Sequence, residues 1–320
     1  MLPKQTGEKY LLSSSPHAHA DASTSRIMLD VIIALLPTLC CGVYFFGLRA
    51  LILTGTCIAA CLVTEGLCRL AMKRDNTIGD FSAVVTGLLL ALNLPPDLPV
   101  WMAAVGGVFA IGVAKQVFGG LGYNPFNPAL SARAFMLISF TGAMTTWSAS
   151  TWNLPEASTT ATPLALVKKG ATNFDWSQVG DLFFGNVNGC IGEVSAFALL
   201  VGAGYLLARK VITWHIPVSF LATVYIFAMF KGGMMPLVHV FSGGCVIGAC
   251  FMATDYVTSP ITAKGKLIFG CGCGLLTMLI RTAPTGAYPE GVSFSILIMN
   301  ALTPLINRFT QPKPFGKVKK

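Results

Sequence analysis

The chain has 320 residues, of which 54% are hydrophobic and 11% charged, with a mean hydropathy of +0.68. That composition excludes a soluble core, because a bilayer interior of about 30 Å takes ~20 apolar residues per helical span and many such runs are present. The net charge of +9 lies in short loops and in a tail bearing Lys313, Lys317, Lys319 and Lys320; this distribution excludes nucleic-acid binding and follows the positive-inside pattern.

In chain order, residues 1–26 form a polar arm containing Ser13-Ser14-Ser15-Pro16-His17. No apolar h-region precedes a cleavage site there, so the first span is expected to act as the insertion signal. The His17/His19 pair has no third ligand nearby and is read as a docking element for a cytoplasmic partner rather than a metal site. Spans are expected at 27–46 and 51–72, followed by a basic loop with Arg69, Lys73 and Arg74. The third segment, 81–94, has only 14 residues before Pro95-Pro96 and is too short to cross straight. Further segments are expected at 101–118, after which comes the Gly119 to Pro128 loop, and at 129–147.

The longest polar interval, 148–189, follows. Segments at 190–208, 212–230, 237–253, 267–280 and 292–306 bring the total to about ten, before the basic tail 308–320. The expected fold is an all-α polytopic membrane protein with a first membrane repeat at 27–147 and a second at 190–307. If both termini are cytoplasmic, 17 of the 22 Lys and Arg lie inside and 5 outside. That bias orients the chain N-in and C-in and places the 148–189 loop outside.

The two halves carry an internal repeat. Phe81-Ser82 leads to Gly87 and Phe241-Ser242 to Gly248, and the stretches from Gly87 to Pro99 and from Gly248 to Pro260 align at an offset of 161. The first copy starts inside and the second outside, so the repeats are inverted. Short segments interrupted by Gly and Pro at matching places point to a midplane site, and helix ends within a bilayer are tolerated only against protein or a polar cavity.

The ten cysteines lie nearly all within apolar spans, where Cys acts as a small hydrophobe. Cys57 and Cys61 share a helix face, but no acid or His stands at ligand spacing, so no metal is expected. The runs from Gly243-Gly244 to Gly248 and from Gly270 to Gly274 are read as sites of close helix packing rather than of phosphate binding. Intramembrane polar groups are functional candidates by default: Asp255, Asn124, Asn127 and Asp97 for cation passage, with Asn93 and Glu290 behind them. Asp97 and Glu290 fall in expected outer loops, and Asp255 is equally suited to cap a helix. Glu65 and Glu193 lie in spans, where each is suited to pair with Lys or Arg. Lys115 and Arg281, near span ends, are expected to snorkel.

The outer loop contains Glu156-Ala157-Ser158-Thr159-Thr160-Ala161-Thr162-Pro163-Leu164. This stretch resembles the flavin-attachment site of the RnfD and NqrB membrane subunits. The resemblance continues through Ser25-Arg26-Ile27-Met28-Leu29-Asp30-Val31, Asn127-Pro128-Ala129 with Arg133-Ala134-Phe135, Met252 to Pro260, and Tyr288-Pro289-Glu290-Gly291-Val292, covering essentially the whole chain. The length is closer to RnfD.

The resemblance implies FMN esterified through its phosphate to the Thr162 hydroxyl by a flavin transferase, with Thr159 and Ala161 as recognition context. Thr159 stands where the family usually has Ser, and the bulkier Thr160 where it has a small residue. The resemblance further implies a urea-transporter-like fold in a bacterial plasma-membrane ferredoxin:NAD⁺ oxidoreductase, the Rnf complex, that moves Na⁺ or H⁺ with its other subunits. Likeness to NqrB also allows a second flavin, riboflavin, held non-covalently. Two other readings remain open: a passive solute channel of urea-transporter type without redox role, and a membrane scaffold whose flavin motif has decayed.

Overall fold

A computed structural model describes residues 23–75, 77–147, 162–168, 175–185, 187–230, 235–283 and 291–312. No β-strand occurs among them. Helix α1 (Thr24–Phe46) opens at Ser23, whose side chain accepts from Arg26 N, and closes at Gly47 with φ 69°. That left-handed residue, easy only for glycine, lets α2 (Leu48–Ala71) begin at once. The two are followed by α3 (Ser82–Leu92), α4 (Val100–Val108) continuing as a π-helix over Phe109–Gln116, α5 (Pro128–Ser139) and α6 (Thr141–Met144).

In the polar interval, α7 (Pro163–Lys168) and α8 (Trp176–Phe184) precede α9 (Ala196–Ala208) and α10 (His215–Met229). Helix α11 (Met235–Phe241) breaks before α12 (Cys245–Ile247), which continues as a π-helix over Gly248–Met252; α13 (Ala263–Thr282) and α14 (Val292–Thr310) complete the order.

Among the described residues four helices, α1, α2, α13 and α14, are long and apolar enough to cross a membrane. Large apolar side chains such as Leu70, Val117, Ile138 and Phe309 stand exposed around the molecule; a soluble surface would not carry so many, and lipid accommodates them. The chain is thus an all-helical polytopic membrane protein. Asp30 on α1 ties this helix to α9, accepting from Tyr205 Oη at 2.9 Å and pairing with Arg209 at 3.4 Å.

The half-length segments behave as the repeat requires. Helix α3 starts after Phe81 (φ 61°) and α12 after Gly244 (φ 68°), both left-handed. The first ends at Leu92 and the second at Met252, 160 residues apart against the expected offset of 161. The two run antiparallel: Ser82 and Thr86 of α3 share a cavity with Phe251 and Asp255, while Leu92 lies against Gly192, which also abuts Ile247.

Three boundaries differ from the sequence expectation. The segment expected over 190–208 is helical only from Ala196. Its first residues are held in a turn instead, because Ile191 N donates to Leu94 O (3.1 Å) and Gly192 N to Leu92 O (2.7 Å), satisfying carbonyls freed at the end of α3. The 237–253 segment is broken at Gly243 and Gly244, both left-handed, where a side chain would be strained; these two glycines make a turn and also pack closely, since a Cβ on Gly243 would run into Leu164 and Arg281 and one on Gly244 into Glu193. The 129–147 segment breaks at Phe140 between α5 and α6.

Close packing also holds for α13. A Cβ on Gly274 would lie 2.7 Å from Thr223 Cβ and 2.8 Å from the Phe220 carbonyl of α10. Gly274→Val is therefore expected to destabilise the protein by about 1–3 kcal/mol through overpacking against backbone. Thermal unfolding in detergent checks this; an unchanged midpoint would show that α10 and α13 can separate freely.

Candidate functional site

Three of the predicted polar residues converge. Asn124, Asn127 and Asp255 line one cleft of about 780 Å³ together with Ser82, Thr86 and Lys115. The Asn-Pro pair makes Asn127 an N-cap: its Oδ1 accepts from Ala129 N (3.1 Å) and Leu130 N (3.3 Å). Its amide also donates to Met252 O at 3.3 Å, satisfying the end of the broken helix. Asp255 accepts from Val257 N at 3.5 Å and from Thr258 Oγ1 at 3.3 Å, which aims the carboxylate from an irregular stretch. Asn124 donates to Phe126 O at 3.0 Å. Asp97 lies apart, in a surface pair with Arg49 at 2.9 Å whose side chains are 40% and 62% exposed. Glu290 lies outside the described residues.

Beside this cleft sits a charged cluster that sequence alone does not assemble. Lys115 does not snorkel; it is 1% exposed. Its Nζ lies 2.8 Å from Glu65 Oε1 and 2.6 Å from Ser82 Oγ. Gln116 Nε2 donates to the same Glu65 oxygen at 3.0 Å. The π-helical turn aims these two successive residues at α2; π-turns recur at functional sites. Arg281 likewise turns inward, donating to His239 O (2.6 Å), Ser242 O (3.0 Å) and Gly243 O (3.1 Å). Those are carbonyls left open where α11 stops, and a cation there is favourable. The Cys57 and Cys61 thiols point at the Ala103 and Gly107 carbonyls of α4, a packing role.

At the level where α3 ends, Asn93 donates to Leu89 O (2.7 Å) and accepts from Arg133 Nη1 (2.5 Å). Arg133 also lies 3.6 Å from Glu193 Oε1 and 3.4 Å from the Cys190 sulfur. Glu193 faces a second pocket, of about 350 Å³, lined by Thr162, Leu164, Phe241, Ser242 and Gly243. Thr162 caps α7: Oγ1 accepts from Ala165 N at 3.3 Å and the carbonyl from Leu166 N at 3.0 Å. It is half-buried, its side chain at the pocket wall. Thr159 and Ala161 lie outside the described residues.

A half-exposed hydroxyl beside an apolar wall fits a phosphoester anchor for FMN. The sequence marks Arg133 as part of a family-like stretch and as a charge in an apolar run, but not with whom it pairs; its partners come from the end of α3 and from 187–195.

Known proteins share this chain from end to end. A family model described as NQR2, RnfD, RnfE family matches residues 11–316. The chain belongs to that family. It is 53% identical to the D subunit of the Na⁺-translocating ferredoxin:NAD⁺ oxidoreductase complex of Acetobacterium woodii, over 97% of this chain and 96% of that one. It is 47% identical to the D subunit of the proton-translocating ferredoxin:NAD⁺ oxidoreductase complex of Clostridium ljungdahlii, covering 96% of each. To the D subunit of the ion-translocating oxidoreductase complex of Stutzerimonas stutzeri it is 39% identical, covering 92% and 93%. Family membership runs the length of the chain and takes in both cavities and the residues between them.

Proposed function

We propose that this chain is the membrane D subunit of a redox-driven cation pump of the Rnf type, in which FMN esterified to Thr162 by a flavin transferase serves electron transfer between ferredoxin and NAD⁺. The observation that carries the reading is Thr162 itself: the acceptor residue of the motif caps a short helix at the wall of a pocket that also holds Glu193. The names of the relatives from Acetobacterium woodii and Clostridium ljungdahlii support the complex, its other subunits as partners and the ferredoxin:NAD⁺ couple. One of those names specifies Na⁺ and the other H⁺, and carboxylate and amide oxygens serve either ion.

When bound, the flavin supplies one- and two-electron chemistry. The chain's own residues do the rest. Thr162 fixes the anchor. Asn124, Asn127 and Asp255 offer oxygens to a cation in the first cleft, and Glu193 offers them in the second pocket. A non-covalent riboflavin is a further cofactor of the same reading.

Orientation in a bacterial plasma membrane, N- and C-termini inside and the Thr162 pocket outside, is supported by charge. Setting aside the buried Lys115, Arg133 and Arg281, the loop count is 15 inside against 4 outside. The first cleft then faces the cytoplasm.

The test is cation uptake by the reconstituted complex given reduced ferredoxin and NAD⁺. Asp255→Asn is expected to keep covalent flavin and lose most coupled transport, since neutralising a carboxylate on the path removes a cation ligand. Transport at the wild-type rate would remove Asp255 from the path. Absence of covalent flavin from the wild-type chain would remove the redox reading.

A further inference from the structure

We propose that Arg133 is a tethered cation that holds the path between the two cavities shut, and that a small monovalent cation takes its place at Glu193 during transport. The inference rests on the cation-pump reading above, but not on its flavin.

One helix links the two cavities. Asn127 at the head of α5 lines the first cleft, and Arg133 follows six residues on, about 9 Å further along the axis. Its guanidinium lies 2.5 Å from Asn93 and 3.6 Å from Glu193, and Glu193 lines the second pocket. The Arg133 side chain is 4% exposed and that of Glu193 9%. Leu92, Ala132 and Ile191, next in the chain to Asn93, Arg133 and Cys190, are buried too. A cation leaving the first cleft therefore meets the guanidinium first, where water screens little, and finds the carboxylate beyond it already paired. Guanidinium does not lose its proton in proteins, so this barrier is relieved by movement alone.

Glu193 is the group both cations need. With Arg133 on it, the carboxylate is neutralised. Asn93 Oδ1 and the Cys190 sulfur are contacts of Arg133 that do not involve Glu193, so it stays solvated by protein when it yields. Once Arg133 withdraws, the Glu193 carboxylate presents hard oxygen ligands to Na⁺ or an acceptor to H⁺ in the wall of the Thr162 pocket.

The two members of the pair thus have opposite roles, which a merely structural salt bridge would not give them. The test uses the whole complex in sealed vesicles, with passive Na⁺ flux and pH-dye equilibration read without electron donor, and coupled uptake read with it. Arg133→Gln is expected to raise passive leak at least about tenfold. Glu193→Gln is expected to leave vesicles as tight as wild type while coupled uptake falls by about tenfold.

Covalent flavin is measured on the same preparations, so failure of the flavin reading shows there and not in the leak. Arg133→Lys keeps a charge but loses the fork that holds Asn93 and Glu193 together; it is expected to leak above wild type and decides the matter if the Gln variant does not assemble. An assembled Arg133→Gln complex as tight as wild type overturns the proposal. So does a Glu193→Gln complex that leaks as Arg133→Gln does, or a tight Lys variant where Gln fails.

Discussion

Replacing Thr162 by alanine is expected to remove flavin fluorescence completely from the denatured chain after co-expression with the flavin transferase, while the complex still assembles. The loss follows from chemistry: a phosphoester needs the hydroxyl, and alanine has none. Assembly survives because what the hydroxyl does for the fold is small. It caps α7 through one bond of 3.3 Å to Ala165 N, and losing such a cap costs about 0.5–2 kcal/mol. Thr162→Ser restores a hydroxyl on the same backbone and is expected to restore labelling in part. In-gel fluorescence under denaturing conditions measures this. A signal that persists in the alanine variant would shift the anchor to another hydroxyl of the same stretch, Ser158, Thr159 or Thr160. A wild-type chain that stays dark beside an active transferase would leave the channel or scaffold reading in place.

The second large effect concerns the fold around the first cleft. Lys115→Met is expected to destabilise the protein by about 3–5 kcal/mol, the range for stripping one partner from a buried ion pair. Glu65 is fully buried and would be left with Gln116 at 3.0 Å and Thr77 at 3.3 Å as its hydrogen-bond partners. Its second oxygen has no hydrogen bond among the described residues. Pairing the change with Glu65→Gln removes the orphaned charge and is expected to recover most of the loss. Thermal unfolding of the single and double variants in detergent, run as a cycle, gives the coupling. If Lys115→Met melts with wild type, the pair is not what holds α2 to the π-helical turn.

How far these residues could be seen in the chain depends on the kind of information each needs. The composition and the run lengths announce a polytopic helical protein, because the bilayer sets a length that sequence must meet. The short segment before Pro95-Pro96 and its copy 161 residues on show that two helices stop midway. Asn127 before Pro128 is legible as a helix start for a local reason, since an N-cap is made within four residues. Thr162 is legible as a motif. Asn124, Asn127 and Asp255 are nameable as polar groups in apolar surroundings, though nothing in their order says that they meet.

Misjudged positions share one cause. A period and a length say that 190–208 is apolar, but not that Ile191 and Gly192 give their N–H groups to carbonyls of α3 nearly a hundred residues away. Lys115 and Arg281 sit near expected span ends, where a long cationic side chain reaches water if nothing else is offered. Both are offered something: a carboxylate on α2 in one case, the open carbonyls after α11 in the other.

Membrane class, internal repeat, family and the Thr162 motif can all be read from the order of residues, because lengths, spacings and motifs are local properties of a chain. Folding in three dimensions was needed to bring Asn124, Asn127 and Asp255 into one cleft, to set Glu65 against Lys115, and to stand Arg133 between two cavities against Glu193. Partners 50 to 60 residues apart are chosen by helix rotation and by which broken end must be satisfied, and neither is written in the order of residues.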